Sequence, residues 1–125
     1  MGCATHILSD KTGTLTENDM QVVCGSVAGL SFDTQRTDHG SAFDELTQPL
    51  ARMVAESASL NSTASLNGDD AIGSRTEAAM LYMSRALGFE PSGVRACSSD
   101  IERASPFTSD KRRMSSLYKT VRHLK

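Results

Sequence analysis

Seven consecutive residues, Asp10-Lys11-Thr12-Gly13-Thr14-Leu15-Thr16, bring together the groups that a phosphoryl transfer needs. A carboxylate delivered to the open end of a sheet can act as a nucleophile, and the run His6-Ile7-Leu8 can form a short buried strand that delivers Asp10 there. Lys11 supplies positive charge beside a transferring phosphoryl group. Gly13 lets the backbone turn tightly, and Thr12 and Thr14 offer hydroxyl and amide contacts to phosphate or Mg²⁺. Asp10, Lys11 and Thr12 are therefore the candidate catalytic set, Asp10 and Thr12 the candidate metal-facing pair, and Thr14 a candidate nucleotide-phosphate contact. The plain alternative is a polar Asp/Thr/Gly turn after a strand, which is common for any single pair of these residues.

The heptapeptide resembles the phosphorylation motif of the P-type ATPases, ion pumps that pass the γ-phosphate of ATP through a covalent aspartyl phosphate. Phosphatases of similar architecture place a second Asp two positions after the nucleophile, where it protonates the leaving group and later activates water. Thr12 can do neither. ADP leaves without a proton, so Asp10 can still be phosphorylated, while hydrolysis lacks its local base and the intermediate persists.

The resemblance continues along the chain. Met1-Gly2, Ala4-Thr5, Ser9, Glu17-Asn18, Met20 and Val22-Val23 are most similar to the stretch around the phosphorylated Asp in plasma-membrane-type calcium pumps. Gly73-Ser74-Arg75-Thr76-Glu77, with Ala79 and Leu81, resembles the family's Lys-Thr-Glu segment. Pro106-Phe107-Thr108-Ser109-Asp110-Lys111-Arg112-Arg113-Met114-Ser115 resembles its Phe-x-Ser-x-Arg-Lys-x-Met-Ser adenine loop. Asp110 departs from the calcium-pump pattern, which favours an apolar residue there.

This resemblance implies ATP and Mg²⁺ as cofactors. It implies Glu77 as acceptor for the adenine amino group, Phe107 as a stacking platform and Arg112 as a phosphate contact, with Lys111 in place of the usual Arg. It further implies a parent membrane protein whose transported cation, Ca²⁺, binds in a membrane domain outside this chain, with this segment soluble on the cytosolic face. The family's Gly-Asp-Gly hinge and Lys-Gly-Ala strand do not occur here, so the chain is expected to be catalytically incomplete by itself. A nucleotide-binding segment without phosphoryl transfer is the main rival, and a phosphatase-like hydrolase is disfavoured by Thr12.

Several elements must position these groups. Residues 1–18 are expected to be a phosphorylation-domain strand (4–8) and the Asp10 loop, and residues 19–125 the first part of a nucleotide-binding domain. The fold class expected is α+β, an antiparallel sheet with flanking helices, preceded by one strand of a Rossmann-like domain. Met20–Val23 and Val27–Phe32 read as strands around a Gly25-Ser26 turn. Leu46, Leu50, Met53, Val54, Ala58 and Leu60 recur at helical spacing, and Thr47 as cap places Pro49 in the first turn of a helix over 48–60. Residues 61–73 read as a flexible connector. Ser74 and Glu77 form a Ser-x-x-Glu capping box opening a helix that runs to Leu87 and stops at Gly88. Glu77 thus has two open roles, helix cap and adenine acceptor. Residues 101–107 and 113–119 read as a hairpin whose rim carries Phe107, either a core aromatic or a base platform; Met114 and Leu117 read as core.

With 125 residues, 38% hydrophobic content and 5% aromatics, the chain can bury one modest core. Cys3, Cys24 and Cys97 lack any paired spacing, which argues against a disulfide framework or zinc site. Net charge is −2, unevenly placed: residues 1–100 carry 6 basic and 13 acidic side chains, residues 101–125 carry 7 and 2. That basic end can attract nucleotide phosphates or simply solvate the hairpin. Nucleic-acid binding is disfavoured, because interleaved aromatics are missing.

Overall fold

Helical periodicity dominates the middle of the chain and builds the frame on which everything else rests. The computed structural model describes residues 5–6, 8–11, 15–34, 43, 46–68, 70–97 and 101–118. Helix α1 spans Gln48–Leu60, with Thr47 as its extended N-cap and Pro49 in the first turn, as the sequence predicts. Its buried stripe is Ala51, Ala55, Ala58 and Ser59. Helix α2 spans Arg75–Ala86 and buries Ala78, Ala79, Leu81, Met83 and Ser84. Alanines on both faces let the two helices approach closely, leaving Ala55 and Leu81 without exposed surface. Ser84 Oγ lies 3.2 Å from the Met80 carbonyl in its own helix and 3.4 Å from that of Ala55 across the interface. A shorter helix, α3 (Pro91–Cys97), opens on a buried Pro and packs against both.

Among the described residues the strands form three separate two-stranded antiparallel sheets, so the architecture is α+β but not the single sheet expected. Strands β1 (Cys24–Val27) and β2 (Leu30–Asp33) pair first, β3 (Ser65–Asn67) and β4 (Asp70–Ile72) next, β5 (Ile101–Ser105) and β6 (Ser115–Tyr118) last. Phe32, Leu46, Ala51 and Met83 make a core cluster that joins the first hairpin to α1 and α2, with the Phe32 and Phe43 ring centroids 5.0 Å apart.

Four local expectations are corrected, and one helix was not foreseen. The first hairpin turns at Ala28-Gly29 (φ 51° and 83°), both left-handed as in a two-residue type I′ connection. Gly25 and Ser26 lie inside β1, opposite Phe32 and Ser31. A Cβ on Gly25 would lie 2.5 Å from Phe32 Cζ, so glycine is there to admit the ring and not to turn the chain. Met20–Val23 is not a strand. The connector over 61–73 holds the β3–β4 hairpin, because half-buried Leu66 and Ala71 pack toward α2 while Gly68 (φ 64°) turns the chain. Helix α3 had no sequence assignment. The strand expected over 4–8 is not formed at Thr5, His6 or Leu8, and Leu8 is 98% exposed; among the described residues no segment pairs with it, and a strand without a partner leaves its backbone groups to water.

The last hairpin is shorter than expected, and Leu117, expected in the core, is 54% exposed while Met114 is half-buried. No third layer covers that face among the described residues. Among the described residues Cys24 and Cys97 are exposed and unpaired thiols. Among the described residues no helix is long and apolar enough to cross a membrane.

Candidate functional site

Helix α2 starts at Arg75, which puts Glu77 in its first turn with the side chain facing back along the helix. The capping box does not form: Ser74 makes no side-chain cap bond. Glu77 turns instead to the segment that leaves α1. Its Oε2 accepts from the backbone N–H groups of Thr63 at 2.8 Å and Ala64 at 2.9 Å, and from the hydroxyls of Thr63 at 3.0 Å and Ser62 at 3.2 Å. Partial burial alone pushes the carboxyl pKa up. The amides of Ala64 and Thr63 and the hydroxyls of Thr63 and Ser62 outweigh that and hold it below the ordinary carboxylate value. Glu77 is therefore an ionised carboxylate, fixed in direction by four donors on a single oxygen.

Segment 59–64 is also gripped from its other side. Arg95, on α3, donates Nε to the Ser59 carbonyl at 2.8 Å and Nη2 to the carbonyls of Ser62 at 3.1 Å and Ala64 at 2.8 Å. Gly73, just before α2, has φ 112°, and a Cβ there would lie 3.0 Å from Ala64 Cα. Ser62, Thr63, Ala64 and Arg95 were missed by sequence reasoning. Asn61-Ser62-Thr63 looks only like polar connector, and nothing local marks Arg95.

The β5–β6 hairpin joins the same segment. Tyr118 Oη donates to the Leu60 carbonyl, Asn61 Nδ2 to the Met114 carbonyl at 3.4 Å, and Ser116 Oγ to Asn61 Oδ1 at 3.1 Å. Between the strands the chain closes a turn in which the Arg112 N–H donates to the Thr108 carbonyl at 2.8 Å, with Arg112 in the left-handed region at φ 49°. Phe107 is 60% exposed on this loop and takes no part in the core of the described residues. Lys111, Arg112 and Arg113 are exposed around it. Segment 59–64 thus anchors both Glu77 and the loop carrying Phe107 and Arg112.

Asp10 and Lys11 are exposed in an irregular segment. The Lys11 carbonyl accepts from the N–H groups of Leu15 and Thr16, both at 3.1 Å. Thr12, Gly13 and Thr14 lie outside the described residues. Among the described residues no hydrogen bond or ion pair joins the Asp10 or Lys11 side chain to Glu77, Phe107 or Arg112. Nor do described residues hold three or more clustered His, Cys, Asp or Glu for a metal. Asp10 offers one carboxylate, which suits Mg²⁺ only in the usual arrangement where substrate phosphates and water complete the octahedron.

No protein-family model matches the chain. Over almost its whole length it is similar to calcium-transporting ATPases. It is 37% identical over 134 residues to calcium-transporting ATPase PAT1 of Dictyostelium discoideum, covering 100% of this chain and 11% of that protein. It is 39% identical over 127 residues to the plasma membrane-type calcium-transporting ATPase 8 of Arabidopsis thaliana, covering 97% and 11%. Calcium-transporting ATPase 2 of Schizosaccharomyces pombe is 34% identical over 145 residues, covering 94% and 11%. The chain thus spans about a tenth of the length of these curated relatives.

Proposed function

Because the chain belongs, as one segment, to the P-type calcium-transporting ATPases, we propose that it carries the phosphoryl-accepting loop and the adenine-recognising part of such a pump. Residues 1–18 serve the phosphorylation domain and residues 19–125 begin the nucleotide-binding domain, on the cytosolic side of the membrane in which the parent protein moves Ca²⁺.

The observation that carries the adenine half is that one short segment orients both a fixed carboxylate and an exposed aromatic loop. Four donors end on Glu77 Oε2, so Oε1 is the oxygen to accept from the 6-amino group of adenine. Phe107 offers a face for the base, a contact worth about 1–3 kcal/mol in base-stacking proteins. Arg112 reaches toward the phosphates, where a fork of N–H donors suits their oxygens.

In the transfer step an Asp10 carboxylate oxygen attacks the γ-phosphorus. The new bond is Asp10 O–P, the broken one is that between the γ-phosphorus and the β,γ-bridging oxygen, and ADP departs with the electron pair. Lys11 offsets the charge moving to the leaving group, and the Thr14 amide and hydroxyl hold phosphoryl oxygens. Asp10 and Thr12 would help to hold Mg²⁺, which would supply charge neutralisation to the phosphates. Thr12 offers no base, so the acyl phosphate survives long enough to drive transport.

Titrating the chain with MgATP and following amide shifts tests the adenine site. Binding should be weak, about millimolar, or roughly −4 kcal/mol. Phe107→Ala and Glu77→Gln should each weaken it while the circular dichroism is kept; unchanged affinity in both would leave only structural roles for these residues. The lack of any contact from Asp10 to the adenine groups among the described residues favours a second reading, a binding segment that performs no transfer by itself.

A further inference from the structure

We propose that Arg95 is a positioning residue of the adenine site, acting on Glu77 through the peptide segment that both residues grip. The proposal rests on the adenine reading of Glu77 given above.

Arg95 forms no ion pair among the described residues, whose ion pairs are Arg52–Glu56 and Arg85–Glu90. Its guanidinium is directed to three backbone carbonyls, those of Ser59, Ser62 and Ala64. The bond to Ser59 has an ordinary explanation, since a basic side chain near a helix C-terminus satisfies the last carbonyls and complements the dipole. The bonds to Ser62 and Ala64 do not, because both residues lie beyond the end of α1. Their effect is on the peptides that face Glu77. Ala64 gives its N–H to Glu77 and its carbonyl to Arg95, and the Ser62 carbonyl held by Arg95 belongs to the same peptide group as the Thr63 N–H held by Glu77. A peptide group is planar, so fixing the Ser62 carbonyl fixes the Thr63 N–H that shares its plane. Arg95 therefore sets the direction of the Thr63 amide directly and that of Ala64 by holding the following peptide. These two amides set where the Glu77 carboxylate points.

Removing Arg95 frees both peptides to rotate. Glu77 then keeps its charge but not its aim, and what suffers is discrimination between a 6-amino purine, which donates to a carboxylate, and a 6-oxo purine, which presents an acceptor and is repelled. A purely fold-stabilising arginine would behave differently, because unfolding lowers apparent affinity for every nucleotide by the same factor.

The test compares MgATP with MgITP, which differ at the 6-position, amino against oxo, and in the proton that N1 carries in the oxo base, by shift titration of the 125-residue chain. The wild type is expected to prefer ATP by about tenfold, from one hydrogen bond to a charged acceptor. Glu77→Gln should remove most of that preference, and Arg95→Ala should lower it to about twofold or threefold. Arg95→Gln, which keeps much of the side-chain stem, is read in the same way should the alanine variant fail to fold. Equal loss of ATP and ITP affinity, with the ratio kept, overturns the proposal and leaves Arg95 a helix cap. A ratio unchanged in Glu77→Gln overturns the adenine role of Glu77 itself, and Arg95 falls with it, which separates the two failures.

Discussion

Glu77 and Arg95 hold Ala64 by its two polar ends, the N–H at 2.9 Å from the Glu77 carboxylate and the carbonyl at 2.8 Å from the Arg95 guanidinium. Neither charge meets the other, and a neutral peptide segment lies between them. Fixed charges set against peptide dipoles are cheaper to hold half-buried than a bare charge would be. The arrangement gives α2 and α3 a common attachment to the end of α1, and the β5–β6 hairpin uses the adjoining residues Leu60 and Asn61.

Glu77 should make stability depend on pH. Its folded carboxyl lies below the ordinary value, so the folded state binds this proton less readily than the unfolded chain. Its stabilising share is fully present above the unfolded-state pKa and is lost as pH falls through the folded one. Urea unfolding across the acid range should show wild type and Glu77→Gln converging as pH drops. Parallel curves would mean that the carboxylate is not held as described.

Asp10→Asn should abolish acid-stable, hydroxylamine-sensitive labelling from γ-labelled ATP in the full-length pump, because an amide is no nucleophile at phosphorus. The 125-residue chain should take up no label with ATP and Mg²⁺, since the described residues hold no cluster of three or more His, Cys, Asp or Glu to complete a metal site, and transfer needs metal and positioning together. Stoichiometric labelling of the short chain would show that its groups suffice.

Gly25→Ala should destabilise the β1–β2 hairpin. The added methyl would stand 2.5 Å from Phe32 Cζ and 2.7 Å from Cε1, so the ring must leave its place against Phe43. Overpacking of this kind costs about 1–3 kcal/mol. A matching fall in the urea midpoint is expected, and the loss should shrink in a Phe32→Leu background, where the clash is gone.

Ser59→Ala should leave stability unchanged or raise it by up to about 1 kcal/mol. The Ser59 hydroxyl is fully buried and has no hydrogen-bond partner among the described residues, while the bond to Arg95 uses its backbone carbonyl and survives the change. Thermal unfolding reads this directly; a clear drop in midpoint would reveal a role for the hydroxyl.

Tyr118→Phe should loosen the hairpin from α1 by about 1 kcal/mol, the net worth of one hydrogen bond. Its phenol donates to the Leu60 carbonyl, an orphan at the helix end. Faster amide exchange confined to β5 and β6 is the expected signature, and uniform exchange across the chain would contradict it.

Helix α1 with its Thr47 cap and early Pro49, the start of α2 after Ser74, the stop at Gly88 and the hairpin around Phe107 were all legible in the sequence, because caps, periodicity and turn residues act over a few neighbouring positions. What Glu77 does with its carboxylate was not legible. The capping-box spacing and the loop at 62–64 compete for the same oxygen, and the winner depends on where the end of α1 arrives, which packing of alanines on α1 and α2 determines. Gly25 carries the same lesson: its neighbours suggest a turn, while a Phe ring from the paired strand decides the matter. Arg95 left no local trace, since its partners are carbonyls that every residue possesses. Only the fold selects which of them stand within reach of a guanidinium.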